Sequence, residues 1–384
     1  MKKWISTIFK GLNWWNKSVL LSNLLAVVIL IGSSLTSYVP PRYSVFISIL
    51  GLLFPVWVFL NVFFILYWAI LRKWHFSFSM FALIFCMLPL SRFVQVTLWQ
   101  PKMEPSESFK IMSYNVRVFD LYNWSSNVQT KNKILSFIQE AQPDVICFQE
   151  YYRGEKIHFS VNDTLKQLLD LEYIQEHITV IRNERKGPGK SHFGSAIFSK
   201  YPIVYHEEHA FENDKNNHFS FVDIVKEKDT IRVFNAHIGS MRLQNADYKL
   251  IGGDDNKRWA YQKQSKEDLL ARLSIAFTKR AAQTTTLLSY VEDSPYPVVL
   301  CTDLNDTPNS YAYNKLAKKL IDAFVISGNG IGSTYVGDNY FNRVFPVNRI
   351  DYIMHDDAFK SANFTTHQQK LSDHNAITCD LQLK

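Results

Sequence analysis

The first 98 residues contain no Asp or Glu but eight Lys and Arg, and long uncharged apolar runs separate these basic residues. The runs lie between Lys17 and Arg42, between Arg42 and Arg72, and between Lys73 and Arg92. A helix needs about 20 apolar residues to cross a bilayer. We therefore predict a membrane region over residues 1–98 with transmembrane helices at about 18–38, 44–71 and 76–98.

The positions of the basic residues also predict an orientation. Four lysines precede the first run, and Arg72 and Lys73 lie between the second and the third. The positive-inside rule places the N-terminus and the second loop in the cytoplasm. With three crossings, everything after residue 100 lies on the external or periplasmic side of a multi-pass membrane protein. If the third run does not cross, the rest of the chain is cytoplasmic, an alternative that its unpaired thiols favour.

Charge and cysteine content exclude several classes. The whole chain is +7, so residues 99–384 sum to −1, and the basic character belongs to the apolar third. That distribution fits membrane topology and is not the footprint of a nucleic-acid-binding domain. The four cysteines form no C-x-x-C pair, which argues against a zinc site. A cleaved signal peptide is disfavoured because no A-x-A site follows the first run and two further apolar runs do.

Residues 99–108 form a polar, proline-containing linker, and residues 109–384 form a second domain in which strand-like and helix-like runs mix. Helical spacing of apolar residues predicts helices at 131–141, 257–291 and 310–320. Many strands with few crossovers predict two packed β-sheets flanked by helices. The predicted strands are FKIMSYNVRVF, DVICFQEY, FGSAIFSKYPI, FVDIVKEK, TIRVFNAHIG, YPVVLCTDLN, NRIDYIMH and NAITCDLQL.

Acidic, amide and imidazole residues lie at or near the ends of these strands, where sites are built on a rigid scaffold. They are Asn115, Glu150, His237, Asp303, Asn305, Asp351, Asp373 and His374. Magnesium prefers oxygen ligands, so one or two carboxylates and an amide suffice to bind it. Hydrolysis of a phosphoester needs an activated water and stabilisation of negative charge, which these residue types supply. Singly, each residue is equally compatible with a turn, a cap or a surface charge.

The ordered set resembles the endonuclease/exonuclease/phosphatase superfamily. The stretches that carry the resemblance are MSYNVR, VICFQE, GSAIFSKYPI, FNAHIGS, LCTDLNDTPNS, RIDYIM and LSDHNAI, in the order of that family. The resemblance spans about 109–384 and none of residues 1–98. It implies an α/β four-layer sandwich, two β-sheets between helical layers, with the site at one end.

The resemblance also implies roles for the matched residues. Asn115 and Glu150 match positions that hold the metal, with help from Asp373. Asp303 matches the residue that orients or deprotonates the attacking water, and Asn305 the one that positions the phosphate. His237 and His374 match donors to the phosphoryl oxygens, and Asp351 matches the carboxylate that fixes the tautomer of His374. One departure is Thr302, which stands where the family usually has glycine, and it predicts altered packing near Asp303.

Together these observations predict a membrane-anchored phosphodiesterase that uses Mg²⁺ or Mn²⁺. Its substrate class stays open between nucleic acid and lipid or sugar-phosphate head groups, and we infer no protein partner. The alternative is a membrane scaffold or binding protein with an inactive domain, which the competent residue at every catalytic position disfavours. Gly252 to Asp255 lack the spaced ligands of a calcium loop and are interpreted as an ordinary loop.

Overall fold

A computed structural model describes residues 8–127, 129–155, 161–183, 189–212, 214–240, 259–337 and 347–384, without the side chains of 215 and 259–267. The predicted loop at Gly252 to Asp255 lies outside the described residues. The chain divides into two compact units. The first is Met1–Ser91 together with Asn309–Tyr311, and the second is Arg92–Pro308 together with Ala312–Lys384.

The first unit is helical. Its helices are α1 (Trp14–Leu35), α2 (Val45–Leu52), α3 (Phe54–Ile70), α4 (Phe76–Phe85) and α5 (Met87–Ser91). One helix, Trp14–Tyr38, is long and apolar enough to cross a membrane. Helices α2 and α3 pass the same test only as a pair bent by 53°, and α4 is an apolar helix shorter than a span. The first predicted span therefore corresponds to one continuous helix, whereas the second corresponds to two helices with a bend between them.

The third predicted span, 76–98, is not one helix. Helix α5 ends at Ser91, and the following residues belong to the second unit. There Val94–Gln95 form strand β1, which pairs antiparallel with β11 (Gly330–Ile331). The sequence FVQVT is rich in β-branched residues, which favour a strand over a helix. The boundary between the units thus precedes the predicted linker at 99–108.

Buried polar side chains join the helices of the first unit. Asn23 donates to Ser79 Oγ at 2.6 Å, and Ser79 donates to Asn61 Oδ1 at 2.8 Å. Trp68 Nε1 donates to Asn23 Oδ1 at 3.0 Å. These four side chains are fully buried. Hydrogen bonds of this kind hold apolar helices together where apolar burial alone does not discriminate between partners.

The second unit contains two six-stranded mixed sheets, which confirms the predicted fold class. One sheet has the order β13-β14-β2-β3-β5-β4, and the other has the order β10-β12-β9-β8-β7-β6. The first sheet consists of β2 (Phe109–Asn115), β3 (Val145–Gly154), β4 (Tyr173–Asn183), β5 (Lys190–Ser199), β13 (Phe359–His367) and β14 (Ala376–Leu383). The second consists of β6 (Ile203–Phe211), β7 (Asp214–Lys226), β8 (Asp229–His237), β9 (Val298–Asp303), β10 (Ile321–Asp322) and β12 (Asp351–His355).

The remaining helices of the second unit are α6 (Thr130–Ala141), α7 (Val161–Leu169), α8 (Trp259–Glu292), α9 (Tyr311–Ala317) and α10 (Ala323–Ser327). Three of them fall where helices are predicted, at 131–141, 257–291 and 310–320. Apolar side chains from both sheets, among them Ile111, Cys147, Val233 and Ile353, form one fully buried cluster. Burial of these side chains between the sheets is the main force that holds the layers together.

A polar link crosses this apolar layer close to the strand ends. Gln149 Nε2 on β3 donates to Asn235 Oδ1 on β8 at 2.8 Å. The amide nitrogen of Asn235 in turn donates to the carbonyls of Phe148 at 2.9 Å and Ala196 at 3.1 Å. Both amide side chains are fully buried. Since a buried amide is costly without partners, this link fixes the relative position of the two sheets at one height.

Two buried histidines also lie between the sheets. The rings of His177 on β4 and His218 on β7 contact each other at 4.4 Å between centroids, and His218 Nε2 lies 2.9 Å from Ser195 Oγ. Burial, together with the charges of His177 and His237, lowers the pKa of His218 well below its usual value. The folded protein therefore holds His218 neutral.

We predict a stability change with pH from this histidine. The unfolded chain protonates His218 near pH 6.5 and the folded chain does not, so the free energy of unfolding falls as pH drops below 6.5. The slope contributed by one such group is at most about 1.4 kcal/mol per pH unit. Urea unfolding of the wild type and of His218→Gln between pH 5 and 8 should show a shallower dependence in the variant. His206→Gln, at an exposed position on β6, is the control, and parallel curves for wild type and His218→Gln would contradict the prediction.

Candidate active site

The predicted site residues come from strand ends that meet at one edge of the second unit. Strands β8 and β9 run parallel, so their last residues, His237 and Asp303, lie side by side in register. Strand β12 runs antiparallel to β9, and its first residue, Asp351, is paired with Asp303. In the other sheet β2 ends at Asn115, which is in register with Gln149 on the parallel strand β3. Sheet topology therefore gathers residues that are far apart in sequence.

Asp303 lies at the centre of the site and is almost completely buried. Asn115 Nδ2 donates to Asp303 Oδ2 at 2.9 Å. The Nε2 atoms of His237 and His374 lie 3.7 Å and 3.8 Å from the same oxygen. One carboxylate oxygen thus faces an amide and two imidazoles, which is the arrangement of a group that exchanges protons with its surroundings.

His374 is held by a second carboxylate. Its Nδ1 atom lies 3.0 Å and 3.1 Å from the two oxygens of Asp351. This contact fixes the ring so that Nδ1 carries a proton towards Asp351 and Nε2 faces Asp303. The main-chain amide of Asp351 donates to Thr334 Oγ1 at 3.1 Å, which anchors the carboxylate in turn. A carboxylate that orients an imidazole is a recurrent arrangement in catalytic sites.

The proton affinities of Asp303 and His374 are both shifted by burial and by the charges around them. Burial and the charge of Asp351 raise the pKa of Asp303 to about 6, although His374, His237 and Asn115 oppose the rise. Burial alone would lower the pKa of His374, but Asp351 and Asp303 raise it well above its usual value. His374 is therefore a cation at neutral pH, and Asp303 titrates close to neutrality. Strongly perturbed pKa values in neighbouring groups are typical of acid–base sites.

Glu150 occupies an irregular position in β3. The sequence places it at the end of that strand, but β3 continues to Gly154 and its pairing with β5 shifts register between Phe148 and Tyr151. Glu150 has a left-handed φ of 48° at this bulge. Its carboxylate is partly exposed and lies 3.9 Å from His237 Nε2. Bulges beside active sites commonly redirect one side chain, and here the redirected side chain is a predicted metal ligand.

Asn305 is fixed by the backbone around it. It has a left-handed φ of 53°, its main-chain amide donates to Asp303 Oδ1 at 3.0 Å, and its side-chain amide donates to the carbonyl of Ile238 at 3.0 Å. Thr302, the departure from the family pattern, is fully buried in β9 with Asp303 still in register with its neighbours. The substitution therefore leaves Asp303 among its predicted partners.

Among the residues described, Asp303, Asp351 and His374 form a group that could hold a metal ion. This group differs from the predicted metal set of Asn115, Glu150 and Asp373. Asn115 Oδ1 accepts from the main-chain amide of Arg117 at 3.0 Å, so its oxygen faces away from Asp303. Asp373 Oδ2 lies 3.4 Å from Arg117 Nε at the edge of the site. The assignment of the metal ligands stays a prediction.

The sequence alone does not identify the residues that line the space beside the site. A pocket of about 280 Å³ opens next to Glu150 and His237. Its other wall carries Phe193, Asn216 and Asn217 from strands β5 and β7. No motif marks these residues, because their placement comes from the pairing of β5 with its neighbours β3 and β4 and of β7 with β8. The exposed guanidinium of Arg117, which stacks on Trp124 at 4.4 Å, was not singled out either.

A solved structure with a TM-score above 0.5 has the same architecture. The crystal structure of an endonuclease/exonuclease/phosphatase from Beutenbergia cavernae DSM 12333 superposes with a TM-score of 0.52 and 18% identity, over 72% of each chain. A humanized D. rerio TDP2 gives 0.48 and 16% over 72% of this chain and 99% of that chain. The human Nocturnin catalytic domain gives 0.45 and 14% over 74% and 98%.

Family models match both parts of the chain, although no curated protein matches it. Residues 16–93 match a domain of unknown function, DUF8431. Residues 112–374, more than half of the chain, match the model of another family and include all eight predicted site residues. The chain therefore belongs to the Endonuclease/Exonuclease/phosphatase family.

Proposed function

We propose that this protein is a membrane-attached, divalent-metal-dependent phosphodiesterase. The observation that carries the proposal is the buried row His237, Asp303, His374 and Asp351, in which neighbouring side-chain atoms lie 3.0 to 3.8 Å apart. Two imidazoles point at one carboxylate, and a second carboxylate holds one imidazole. Such a row supplies a base for water and fixed donors for a phosphoryl group, the two needs of phosphoester hydrolysis.

Each residue of the row has a distinct part in the proposal. Asp303, with a pKa raised to about 6, is ionised in most molecules at neutral pH and accepts a proton from the attacking water. His374 carries a proton and stabilises the negative charge that develops on the phosphoryl oxygens. His237 donates from the opposite side of Asp303. Asn305, fixed by its two backbone contacts, positions the scissile phosphate.

The side chains fit a hard divalent cation. Glu150, with its partly exposed carboxylate, and Asp373 provide oxygen atoms at the edge of the site, and the described cysteines are buried in the strands or helices. Oxygen donors without thiolates suit Mg²⁺ or Mn²⁺ rather than zinc. When bound, such an ion polarises the phosphoryl oxygens and lowers the pKa of water.

The substrate is a phosphodiester in nucleic acid or in a lipid or sugar-phosphate head group. The charge of −1 over residues 99–384 gives no strong attraction to nucleic acid, although local contacts decide such binding. The other candidate function is a membrane scaffold with an inactive domain. It is disfavoured because Asp303, His374 and Asp351 are in contact, and the pKa values of Asp303 and His374 are strongly perturbed.

Activity should depend on a divalent metal. The purified full-length protein in detergent, assayed on plasmid DNA, RNA, sphingomyelin and phosphoinositides, should hydrolyse one of these classes. EDTA should abolish that activity, and Mg²⁺ or Mn²⁺ should restore it, because the proposed ligands are oxygen atoms. Full activity in EDTA would contradict the metal requirement, and inactivity on every substrate would favour the scaffold.

Asp351 should act through His374. Loss of a fixed donor typically costs about 10²–10³ in rate, so His374→Ala should lose activity on that scale. Asp351→Asn should lose as much or less. Because residues that act as a unit are not additive, the double variant should be little worse than His374→Ala alone. Steady-state kinetics of the four proteins measure this, and multiplicative losses would show that Asp351 does not serve His374.

The proposed topology places the N-terminus in the cytoplasm and the catalytic unit outside. It requires three crossings, by α1, by the bent pair α2 and α3, and by α4 with α5. A reporter fused after Lys384 that is active only on the external side should therefore give signal. Signal from a cytoplasmic reporter at the same position would show that the third segment does not cross. A reporter placed before α1 is the control for the cytoplasmic side.

A further inference from the structure

The second unit begins with an extended segment, residues 92–100, that exposes its apolar side chains. Val96, Leu98 and Trp99 are 69%, 74% and 84% exposed. Val94, paired with Ile331 across β1 and β11, is also exposed, as are Ile331 itself and Ile326 at the neighbouring helix α10. We call this surface the apolar strip and define it as Val94, Val96, Leu98, Trp99, Ile326 and Ile331. Contiguous exposed apolar surfaces of this kind mark interaction sites.

The polar side chains of the same segment face the protein. Gln95 Nε2 donates to the carbonyl of Val325, and Thr97 Oγ1 donates to the carbonyl of Gly328 at 2.6 Å. Gln100 Nε2 donates to the carbonyl of Ser327 at 3.0 Å. These carbonyls lie at the end of α10, so the segment caps that helix with its polar face.

The alternation of apolar and polar side chains along this segment is therefore the reverse of the alternation on a strand with one face in water. A sheet with one solvated face carries apolar side chains inward and polar side chains outward. Strands that face lipid carry apolar side chains outward and polar side chains inward. Residues 94–98 follow the second pattern, with Val94, Val96 and Leu98 outward and Gln95 and Thr97 inward.

We propose that the apolar strip contacts the interfacial region of the lipid bilayer and seats the catalytic unit on the membrane. The segment follows directly in sequence on the apolar helix α5, whose Met87 and Leu88 are exposed. Trp99, the most exposed residue of the strip, is of a type enriched at membrane–water interfaces. The inference rests on the membrane attachment proposed above.

The strip is joined to the catalytic row by a short stretch of chain. Four residues after Ile331, the ring of Tyr335 packs on that of His374 at 5.1 Å. Thr334 accepts hydrogen bonds from the main-chain amides of Ile350 and Asp351. Four residues span at most about 14 Å of chain. A strip seated in lipid therefore favours a phosphodiester of a lipid head group as substrate over nucleic acid.

The test uses the full-length protein in phosphatidylcholine vesicles. The native cysteines are buried, so a single introduced cysteine can be labelled with an environment-sensitive fluorophore. Val96→Cys reports the strip, and Val204→Cys, an exposed valine on β6, is the matched control. Val28→Cys, an exposed position on α1, reports the anchor. We expect lipids with nitroxide groups near the head group to quench the probe at 96 several-fold more than the probe at 204.

The outcomes separate the proposals. If the probe at position 28 is quenched but the probes at 96 and 204 are quenched equally, the proposal that the strip contacts lipid is wrong. The proposed membrane attachment through α1 would then still stand. Absence of quenching at 28 would refute the anchor. If neither lipid nitroxides nor aqueous iodide quench the probe at position 96, protein covers the strip, for example a second copy of the chain. That result would also contradict the proposed contact with lipid.

A kinetic measurement tests the substrate class. Val96→Ser combined with Leu98→Ser should raise KM several-fold for a phospholipid presented in vesicles and leave the hydrolysis of soluble bis(p-nitrophenyl) phosphate unchanged. Equal kinetics of variant and wild type on vesicles would contradict a seating role for the strip. Loss of activity on both substrates would mean that the strip acts on the fold and not on membrane contact.

Discussion

The buried amide pair Gln149 and Asn235 fixes the geometry of the buried row His237, Asp303, His374 and Asp351. Gln149 immediately precedes Glu150, and Asn235 lies two residues before His237. The 2.8 Å hydrogen bond between them crosses an apolar layer in which neither amide has water as an alternative partner. Apolar contacts tolerate sliding, but a directional bond does not. The bond therefore holds residues from the two sheets at one fixed separation.

The sequence predicted much of the second unit because the site residues stand beside strongly patterned strands. Asn115, Asp303 and His374 were found in this way, and the resemblance supplied Asp351 as the partner of His374. Strands β4, β6 and β13 and helix α7 were not predicted. The strands carry polar residues at many positions and no motif, and α7 is short, although Val161, Leu165 and Leu169 recur at helical spacing and are buried. The bulge at Glu150 could not be foreseen either, because it depends on the register between β3 and β5.

In the first unit, the sequence predicted where the apolar segments lie but not where their helices bend or end. Hydropathy located the apolar runs of the sequence. Hydropathy averaged over a window of residues does not, however, detect the 53° bend between α2 and α3 or the end of helix α5 at Ser91. The bend coincides with Pro55 in the first turn of α3, a residue that interrupts a helix, whereas the end at Ser91 arises from contacts. The residues after Ser91 gain strand pairing and side-chain bonds to the end of α10, which a continued helix would forgo. At Ser91, the local hydropathy pattern predicts a helix, and tertiary contacts determine where that helix ends.

The hydrogen-bonded chain of Trp68, Asn23, Ser79 and Asn61 makes the helices of the first unit interdependent. In a hydrocarbon environment, a polar group that loses its partner finds no water to replace it. Moving α4 away from α1 would break the bond between Ser79 and Asn23 and leave both groups unsatisfied. The helices of the first unit should therefore separate together or not at all. A helical unit linked in this way behaves as one cooperative body, able to transmit a tilt or a rotation as a whole.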